Sequence, residues 1–590
     1  MCGIVALFAY GAAAPEPDRA EALRIRDRMR ARGPDGAGFW PDESEPSPVL
    51  LGHRRLAILD LDERSNQPFT SACGRYVLTY NGEIYNFRAL RKTLEAKGVS
   101  FRTTSDTEVL VELFAREGRD MAARLRGMFA AAIWDREDRR LTLLRDGFGI
   151  KPLYLADDGQ TLRVASSVKA LLAGGGIDDA PDPAGHAGFF ILGHVPEPHT
   201  LFQSIKSLPA GSWLEVEAGG RRREGRYFDA SRLLAETENQ PVDGIDFAGL
   251  LRESLSDHGV ADVPVGLFLS AGRDSTTLAA LASEDRNEAL KTFTLGFTEY
   301  RGSDRDEVPL AEAVARALGT DHETRMVAGE SFHRDWESLT ADMDQPSIDG
   351  ANVWLVAREA RQTGLKVALS GLGADEILGG YDTFQRAPNL VSKWGWASGF
   401  GPLARRLSAP WLGRLVHPKA AGLIEQARDL PSAWLLRRAL FMPWELNRVL
   451  DPDMARAGRA DLCLDDRLAE AVQGISAPKR QVAALEMRFY MQGQLLRDAD
   501  WAGMAHSLEI RVPFVDTHLF MALAPALLNE GGPTKQSLTE APKRALPEAI
   551  LNRPKSGFYV PLDRWLTGSA SDPAEPGLRG YARQIHKSFS

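Results

Sequence analysis

The residue best suited to covalent chemistry is Cys2, which follows the first methionine in "MCGIVALF". If Met1 is removed, one residue carries both a thiol and the chain's free α-amine, a nucleophile with its own base. In a buried first strand the same cysteine would be an ordinary small apolar side chain. A secretion signal needs a positive charge ahead of its apolar run, but the first basic residue here is Arg19. The position of Cys2 alone therefore does not decide between a catalytic nucleophile and a buried apolar side chain.

A second chemical feature is the stretch "VPVGLFLSAGRDSTTLAALAS". Its pattern predicts a buried strand over residues 263–269, a turn of small residues over 270–275, and a helix from Thr276 onward. Such a turn presents backbone N–H groups and hydroxyls to an anion. It matches neither the Walker lysine loop nor a dinucleotide glycine fingerprint. The stretch indicates a phosphate-binding loop, although an ordinary strand-to-helix turn would show the same pattern.

The stretch "KVALSGLGADEILGGY" repeats the pattern of strand and small-residue turn, with Asp375 and Glu376 adjacent in apolar surroundings. Neighbouring carboxylates there are costly unless a cation neutralises them, and Mg²⁺ bound to ATP phosphates is the cation we expect. Further on, "RPKSGFYVP" offers Arg553 and Lys555, which suit negative charge that develops during a reaction. Singly each would be a solvated surface charge, but together they predict a nucleotide site.

The elements that position these residues fall into two groups. Residues 1–200 carry many short β-rich runs, with helical patterns at 19–32 and 106–117, which indicates sheets with packed helices. A closing hairpin with "RRR" at 221–223 in its turn ends near Asp229, and strands then alternate with longer helices, as in a parallel α/β sheet. We expect a domain boundary between residues 210 and 240, added helices over 388–497, and a polar, partly disordered tail from Thr567.

Bulk properties exclude several classes of protein. The chain has 590 residues, 71 basic and 80 acidic side chains and a net charge of −9, so we expect two or more domains and no nucleic-acid partner. We find no apolar run of the roughly 18 residues that a membrane span needs. Three widely spaced cysteines fit neither a disulfide framework nor a zinc site and indicate a reducing cytoplasm.

Taken together, the motifs resemble the glutamine-hydrolysing asparagine synthetase family, bacterial B type, over nearly the full chain. They are "MCGI", "ARGPDG", "GHRRLAILD", "NGEIYN", "TTSDTEV", "RDGFGIKPLY", the two phosphate-loop stretches and "MAHSLEIRVPFVD". The resemblance implies an α/β protein. Its N-terminal nucleophile αββα sandwich, a class II glutamine amidotransferase, would span residues 1–215. A parallel-sheet ATP-pyrophosphatase domain with added helices would span 235–590.

For the first domain, the resemblance implies that Cys2 attacks the glutamine side-chain amide with its own α-amine as base, after removal of Met1. An α-amine has a pKa of about 7.7 to 8, so it can take the thiol proton near neutral pH. The implied partners are Asn81 and the Gly82 N–H for the oxyanion hole, Arg55 for the glutamine α-carboxylate, Glu83 and Asp106 for its α-ammonium, and Arg32, Gly33, Pro34 and Asp35 for the covering loop. Ammonia would then pass through an internal tunnel.

For the second domain, the resemblance implies an acyl-adenylate formed from a carboxylate and ATP, which ammonia converts to an amide and AMP. The residues implied for ATP and pyrophosphate are Leu269, Ser270, Gly272, Asp274, Ser275, Ser370 and Gly371. Asp274 and Asp375 would hold Mg²⁺, Lys555 would stabilise the acyl-adenylate step, and Arg511 would be structural.

Two positions depart from the family pattern. Ala271 replaces a glycine of the first loop but keeps a small side chain. Leu372 stands where asparagine makers usually have glutamate at the mouth of the acceptor pocket, and leucine cannot pair with an α-ammonium. Asp349 is the candidate substitute. Aspartate remains the default acceptor.

Other functions stay open beside asparagine synthesis. The acceptor could be a sugar acid, a modified amino acid or a peptide, and the β-lactam or lasso-type cyclases of the family need no ammonia at all. Intact Cys2, Arg55 and Asn81 argue against a cyclase, and the polar residues of both loops argue against a non-catalytic binding protein. The expected partners are glutamine, ATP and the acceptor, with no nucleic acid and no membrane; a homodimer is left open.

Overall fold

The structure is a computed structural model that describes residues 2–43, 48–241, 244–284, 288–406, 418–553, 558–566 and 577–589. The strands of these residues form three sheets. In chain order, β1 to β17 are Gly3–Ala9, Gly36–Pro41, Val49–Arg55, Phe69–Thr70, Tyr76–Ile84, Gly127–Asp135, Arg140–Arg145, Tyr154–Asp157, Thr161–Ala165, Ile205–Ser207, Ser212–Glu217, Arg222–Arg226, Val265–Phe268, Lys291–Phe297, Asp321–Val327, Val367–Leu369 and Glu509–Arg511.

The α-helices of the described residues are numbered in the same way. In chain order, α1 to α23 are Arg19–Arg28, Phe87–Ala96, Asp106–Glu117, Val168–Ala173, Pro183–Leu192, Ala230–Thr237, Phe247–His258, Arg273–Ser283, Val308–Leu318, Gly329–Asp342, Gly350–Gln362, Ala374–Leu378, Thr383–Trp394, Leu430–Arg438, Pro452–Leu462, Leu464–Ala471, Pro478–Leu485, Arg497–Ala505, Thr517–Leu523, Lys535–Glu540, Glu548–Leu551, Leu562–Leu566 and Leu578–Lys587. A π-helical segment, Glu486–Leu496, joins α17 to α18.

The amino-terminal half is a sandwich of two antiparallel sheets between helices. One sheet has the order β10-β8-β9-β1-β3-β2 and the other β12-β11-β7-β6-β5-β4. Alternate residues of β1 explain the layering: Ile4 and Phe8 face the second sheet, whereas Val5 and Leu7 pack against α1 and α4. Helices α2 and α3 cover the outer face of the second sheet. The predicted αββα sandwich is therefore confirmed.

The carboxyl-terminal half is built on a parallel sheet of order β15-β14-β13-β16-β17. Its buried side chains share one core with helices of the added region, including Trp434 of α14 and Phe489 of the π-helical segment. The predicted parallel α/β sheet with added helices is confirmed. Because β13 and β16 are neighbours, the loops that follow them emerge side by side at the carboxyl edge of the sheet.

Some local predictions need correction. The first helix ends at Arg28 rather than residue 32, because the chain tightens into a turn in which the Met29 N–H donates to the Arg26 carbonyl oxygen at 3.1 Å. The hairpin turn is formed by Gly219 and Gly220, both at positive φ, so Arg222 and Arg223 already belong to β12. The second sheet thus continues to Arg226, inside the interval predicted for the boundary, and the domain limits 1–215 and 235–590 stay predictions.

The polar tail, which was predicted to be partly disordered, contains a helix. Residues 567–576 lie outside the described residues, but α23 follows them and buries Tyr581 and Ile585 on one face. These residues are four apart, the spacing that places side chains on the same side of a helix. No helix of the described residues is long and apolar enough to cross a membrane.

Candidate functional site

Cys2 lies immediately before β1, buried at the edge of the sandwich. Its backbone nitrogen donates a hydrogen bond to Asn81 Oδ1 at 2.8 Å. This contact fixes the nitrogen that would become the α-amine once Met1, which lies outside the described residues, is removed. Both interpretations of Cys2 therefore fit the structure: it heads a buried strand, and its nitrogen is held beside a polar group.

Asn81 and Gly82, the residues predicted for the oxyanion hole, lie next to each other on β5. Asn81 is fully buried, and its Nδ2 donor has no hydrogen-bond partner among the described residues. A buried donor without a partner is costly, which fits a group that waits for a ligand. Gly82 has a φ of +155°, and a Cβ there would stand 2.1 Å from the carbonyl oxygen of Met128. Only glycine fits this position.

Arg55 ends β3 and is held by the loop that follows it. Its Nη1 donates to the carbonyl oxygen of Asp62 at 2.8 Å and to Asn66 Oδ1 at 3.0 Å. Burial raises the pKa of the Cys2 thiol, whereas the Leu56 amide and the positive charge of Arg55 act in the opposite direction. The Arg55 charge therefore acts on the Cys2 thiol, and its Nη2 also donates to the carbonyl oxygens of Leu59 and Asp60.

Glu83 and Asp106, the residues predicted for the glutamine α-ammonium, are both buried. Asp106 begins α3 and accepts hydrogen bonds from the Tyr80 hydroxyl at 2.8 Å and the Ile84 N–H at 3.0 Å, so it also holds β5 in place. Burial and the charge of Glu509 raise the pKa of Glu83 well above its usual range. Glu83 also lies 3.6 Å from the Arg511 guanidinium.

The covering loop after α1 contacts the second domain directly. Arg32 donates through Nε to the Cys2 carbonyl oxygen at 3.1 Å and forms a two-pronged ion pair with Asp500 of α18, at 2.7 and 3.2 Å. Asp35 pairs with Lys366 at 2.9 Å. Arg511 of the second domain donates to the carbonyl oxygens of His258 and Val260, which supports its predicted structural role.

The first phosphate loop joins β13 to α8 through the hydroxyls of two serines. Ser275 Oγ accepts from the Ser270 N–H at 3.1 Å and lies 2.9 Å from Ser270 Oγ, which in turn accepts from the Gly272 N–H at 3.1 Å. Leu269 and Ala271 are buried behind the loop. No side chain caps the amino terminus of α8, so its first-turn N–H groups are left to bind an anion, as the predicted phosphate loop requires.

The second phosphate loop joins β16 to α12 and touches the first. The Ser370 N–H donates to the Arg511 carbonyl oxygen at 2.8 Å, which ties the loop to β17. A Cβ on Gly371 would lie 3.2 Å from both Asp274 Cβ and the Ser275 nitrogen. The two loops therefore lie in contact, as a shared nucleotide site would need.

Lys535 at the start of α20 joins the two loops and was missed by sequence reasoning. Its Nζ lies 2.5 Å from Asp274 Oδ1 and 2.8 Å from Asp375 Oδ1. Burial alone would lower its pKa, but the charges of Asp274 and Asp375 raise it, so the ammonium is retained. The two carboxylates are the oxygen donors that Mg²⁺ takes beside nucleotide phosphates, so the predicted metal pair fits that ion.

Glu376 does not share the role suggested by its position beside Asp375. It is buried and accepts a hydrogen bond from the Tyr381 hydroxyl at 2.6 Å. Burial and then the Asp375 charge raise its pKa to about 7, which favours the protonated carboxyl in the fold. Arg553 forms an ion pair with Glu307 at 3.0 Å, and Lys555 lies outside the described residues.

The region around Asp349 contains an arginine and several tyrosines. The Arg438 guanidinium is held between the rings of Tyr381 and Tyr490, 4.4 and 3.9 Å from their centres. Asp349, at the start of α11, accepts from Asn352 Nδ2 at 2.5 Å. Burial raises the pKa of Asp349 to about 6, against the effect of Arg438. A cationic group would favour the ionised carboxylate here.

Tyr581 of α23 is a further group near Asp349 that the sequence did not suggest. It is fully buried, and its hydroxyl has no hydrogen-bond partner within the described ranges. Burial and the negative charges of Asp498 and Asp349 raise its pKa, so the hydroxyl stays protonated. Asp498 itself accepts from Ser347 Oγ at 2.5 Å and Trp501 Nε1 at 2.8 Å.

Comparison with known proteins finds a matching family for each half of the chain. Residues 1–228 match the glutamine amidotransferase domain, and residues 246–584 match the asparagine synthase family. The chain belongs to the glutamine-hydrolysing asparagine synthetase family. Asparagine synthetase 1 of Bacillus subtilis is 32% identical over 582 residues, covering 97% of this chain and 89% of the relative. A putative asparagine synthetase of Mycobacterium tuberculosis is 35% identical over 603 residues, covering 96% and 88%.

A third relative is named as an amidase rather than as an asparagine synthetase. Amidase chry2 of Gibberella zeae is 26% identical over 635 residues, covering 96% of this chain and 90% of its own. Membership of the family therefore establishes a glutamine-hydrolysing amidotransferase joined to a synthetase domain, and it implies the use of glutamine and ATP. The acceptor must be argued from the residues around Leu372 and Asp349.

Proposed function

We propose that this enzyme forms a primary amide from a carboxylate, ATP and glutamine, with aspartate as the default acceptor and asparagine as product. The observation that carries the proposal is that Lys535 joins Asp274 and Asp375 across two phosphate loops, in a chain that also holds Cys2 against Asn81. One chain thus contains a nucleophile site and a separate nucleotide site. We place the reaction in the cytoplasm, since the spaced cysteines favour a reducing compartment.

In the first site, the Cys2 thiol attacks the glutamine amide carbon, and its proton passes to the α-amine held by Asn81 Oδ1. The Asn81 Nδ2 donor and the Gly82 N–H would stabilise the oxyanion, and Arg55, Glu83 and Asp106 would bind the amino-acid end of glutamine. The Cys2 α-ammonium passes this proton to the amide nitrogen, ammonia leaves, and water then hydrolyses the thioester to glutamate and restores the thiol. Arg32 links the Cys2 carbonyl to Asp500, so the first site is braced by the second domain.

In the second site, an acceptor carboxylate oxygen attacks the α-phosphorus of ATP and pyrophosphate leaves. Ser270, Gly272 and Ser275 would bind pyrophosphate with Leu269, Ser370 and Gly371 shaping the loops. Asp274 and Asp375 would hold Mg²⁺, which when bound neutralises phosphate charge. Lys535 supplies a cation at the same place. Ammonia then attacks the acyl carbon, AMP leaves and a proton is lost.

The proposal is tested by product analysis with amide-labelled [¹⁵N]glutamine, ATP and Mg²⁺. Aspartate, sugar acids and small peptides are supplied separately as acceptors, and mass spectrometry follows ¹⁵N in each product. We expect one acceptor to gain an amide in step with AMP and pyrophosphate. Pyrophosphate release that produces no ¹⁵N-labelled amide, or cyclisation without glutamine, would instead support the cyclase alternative.

Leu372 decides how well aspartate is used. Leucine offers an α-ammonium no charge partner, and a lost charge-assisted hydrogen bond is worth about 1.5 to 3 kcal/mol, or roughly ten- to a hundredfold in affinity. Unless Asp349 compensates, we expect weak aspartate-dependent pyrophosphate release by the wild type and a gain of that size in Leu372→Glu. The KM for aspartate, measured by pyrophosphate release, reports the change.

The matched control is Leu372→Gln, which has similar size and polarity but no charge. Efficient aspartate turnover by the wild type would refute the charge argument and favour Asp349 as the ammonium partner. If Leu372→Glu leaves the KM unchanged while another acceptor is amidated, the pocket is built for that acceptor.

A further inference from the structure

One side chain of the second domain reaches the residues predicted to bind glutamine. Arg511 of β17 is fully buried, and its Nη2 lies 3.6 Å from Oε1 of Glu83, which is itself buried on β5. Strand β5 belongs to the antiparallel sandwich and β17 to the parallel sheet, so this ion pair crosses from one half of the chain to the other. A residue predicted for the glutamine α-ammonium is thus in contact with the synthetase half.

The other edges of the Arg511 guanidinium are fixed within its own domain. Nη1 donates to the carbonyl oxygens of His258 at 2.8 Å and Val260 at 2.7 Å, and Nε donates to Glu509 Oε1 at 2.6 Å. Nη2 has no hydrogen-bond partner among the described residues. A planar guanidinium held on two sides has little freedom to turn, so its remaining nitrogen stays beside Glu83.

Glu83 needs a neighbouring cation in order to carry a negative charge. Burial, and then the charge of Glu509, raise the pKa of Glu83 well above its usual range; the Arg511 charge lowers it, and the Asp106 charge raises it further. A glutamine α-ammonium pairs with an ionised carboxylate, whereas a protonated carboxyl offers it no charge. Loss of Arg511 would leave Glu83 buried between two other carboxylates, which favours its protonated form.

We propose that Arg511 is a positioning residue of the glutamine site, which holds the Glu83 carboxylate beside its own positive charge, ready for the α-ammonium of glutamine. This inference rests on the proposed role of Glu83 and extends it, because the glutamine site is then incomplete without the second domain. Glu509 acts against Glu83, since its carboxylate competes for the same guanidinium. An arginine that only supported the fold would not act through Glu83.

A double-mutant cycle in the full-length enzyme tests the proposal, with glutamate release measured in the absence of ATP and acceptor. Arg511→Gln should raise the KM for glutamine by roughly tenfold or more, because a buried carboxylate loses its charge partner, and should change kcat much less. In a Glu83→Gln background the same substitution should change the KM by less than about twofold, because the group through which Arg511 acts is gone. Independent, additive effects would overturn the proposal.

The pH dependence of the KM gives a second readout that a structural role would not move. Protonation of Glu83 weakens ammonium binding, so the KM should rise as the pH falls through the pKa of Glu83. Arg511→Gln should move this rise to higher pH, and Glu509→Gln, which removes the competing charge, should move it to lower pH. The charged and titratable side chains near Glu83 are Cys2, Tyr80, Tyr85, Asp106, Glu509 and Arg511.

Two lysine variants separate positioning from loss of structure. Arg511→Lys keeps a positive charge and should give a KM between those of the wild type and Arg511→Gln; it replaces Arg511→Gln in the cycle if the latter does not fold. Arg480→Lys is the matched control, because Arg480 is equally buried and donates to the carbonyl oxygens of Leu234 and Ala524, both at 2.8 Å. It should leave the KM and its pH dependence as in the wild type.

Failure of this inference differs from failure of the proposed function. A wild-type KM in Arg511→Gln, or a profile of Glu509→Gln that moves to higher pH, overturns the role of Arg511 while glutamine hydrolysis itself continues. A wild-type enzyme that releases no glutamate from glutamine would instead contradict the proposed glutamine site, and the role of Arg511 with it.

Discussion

Replacement of Cys2 by alanine is expected to abolish glutamine-dependent amide formation while leaving ammonium-dependent formation intact. The thiol is the only group of the first site that forms a bond to carbon, and removing a catalytic nucleophile costs at least about a thousandfold in rate. The nucleotide site loses nothing, because Asp274, Asp375 and Lys535 belong to the other domain. Glutamate release and pyrophosphate release, measured separately, show the split.

The matched control is Cys73→Ala, since Cys73 is an exposed free cysteine on the same domain. It should keep both activities. Intact mass should also show that active wild-type enzyme lacks Met1, because the mechanism needs the Cys2 α-amine. Glutamine hydrolysis by Cys2→Ala at the wild-type rate, or an active chain that retains Met1, would contradict the proposed nucleophile.

Much of the fold was predictable from local patterns. The apolar run of β1 and the strand-turn-helix stretches at 263–283 gave the right element types, because burial on both faces and small-residue turns leave clear signals. The helix at Asp106–Glu117 has the predicted bounds, with Ser105 as its amino-terminal cap. The strands, turns and helix cap named above are determined by residues close together in the sequence, so local patterns are enough to predict them.

The residues that sequence reasoning missed come from distant parts of the chain. Lys535 meets Asp274 across 261 positions, and Arg32 meets Asp500 across 468. Lys535 occurs in "PTKQSL", a polar helix start with no chemical marker, and Asp500 is one of two acidic residues in α18. The signal that could have found Lys535 is electrostatic: the paired carboxylates of the two loops required a cation.

The structure separates the two adjacent acidic residues of the second phosphate loop. Asp375 is the residue predicted to hold Mg²⁺, and successive side chains at the start of α12 point in different directions. Asp375 therefore faces Lys535, whereas Glu376 turns into the core and binds Tyr381. Sequence showed the charges, and only the structure could show that they are not on one face.

Replacement of Lys535 by methionine is expected to remove adenylation, by at least about a thousandfold in pyrophosphate release, while glutamine hydrolysis continues. Methionine keeps much of the length and apolar stem but removes the charge that lies 2.5 and 2.8 Å from the two carboxylates. Without the cation, negative charge that develops on ATP phosphates meets Asp274 and Asp375 unopposed, and loss of such a stabilising group is costly. Pyrophosphate release at saturating ATP and acceptor measures the effect.

Two comparisons make this result decisive. Lys479→Met changes an exposed lysine at the start of α17 and should leave both activities unchanged. Lys555→Met tests the lysine that the family resemblance indicated. If Lys555→Met abolishes pyrophosphate release and Lys535→Met does not, the resemblance identified the right cation and the contact with the carboxylates is only structural. If only Lys535→Met abolishes pyrophosphate release, and that variant unfolds at the same temperature as the wild type, then Lys535 of α20 is the cation of the nucleotide site.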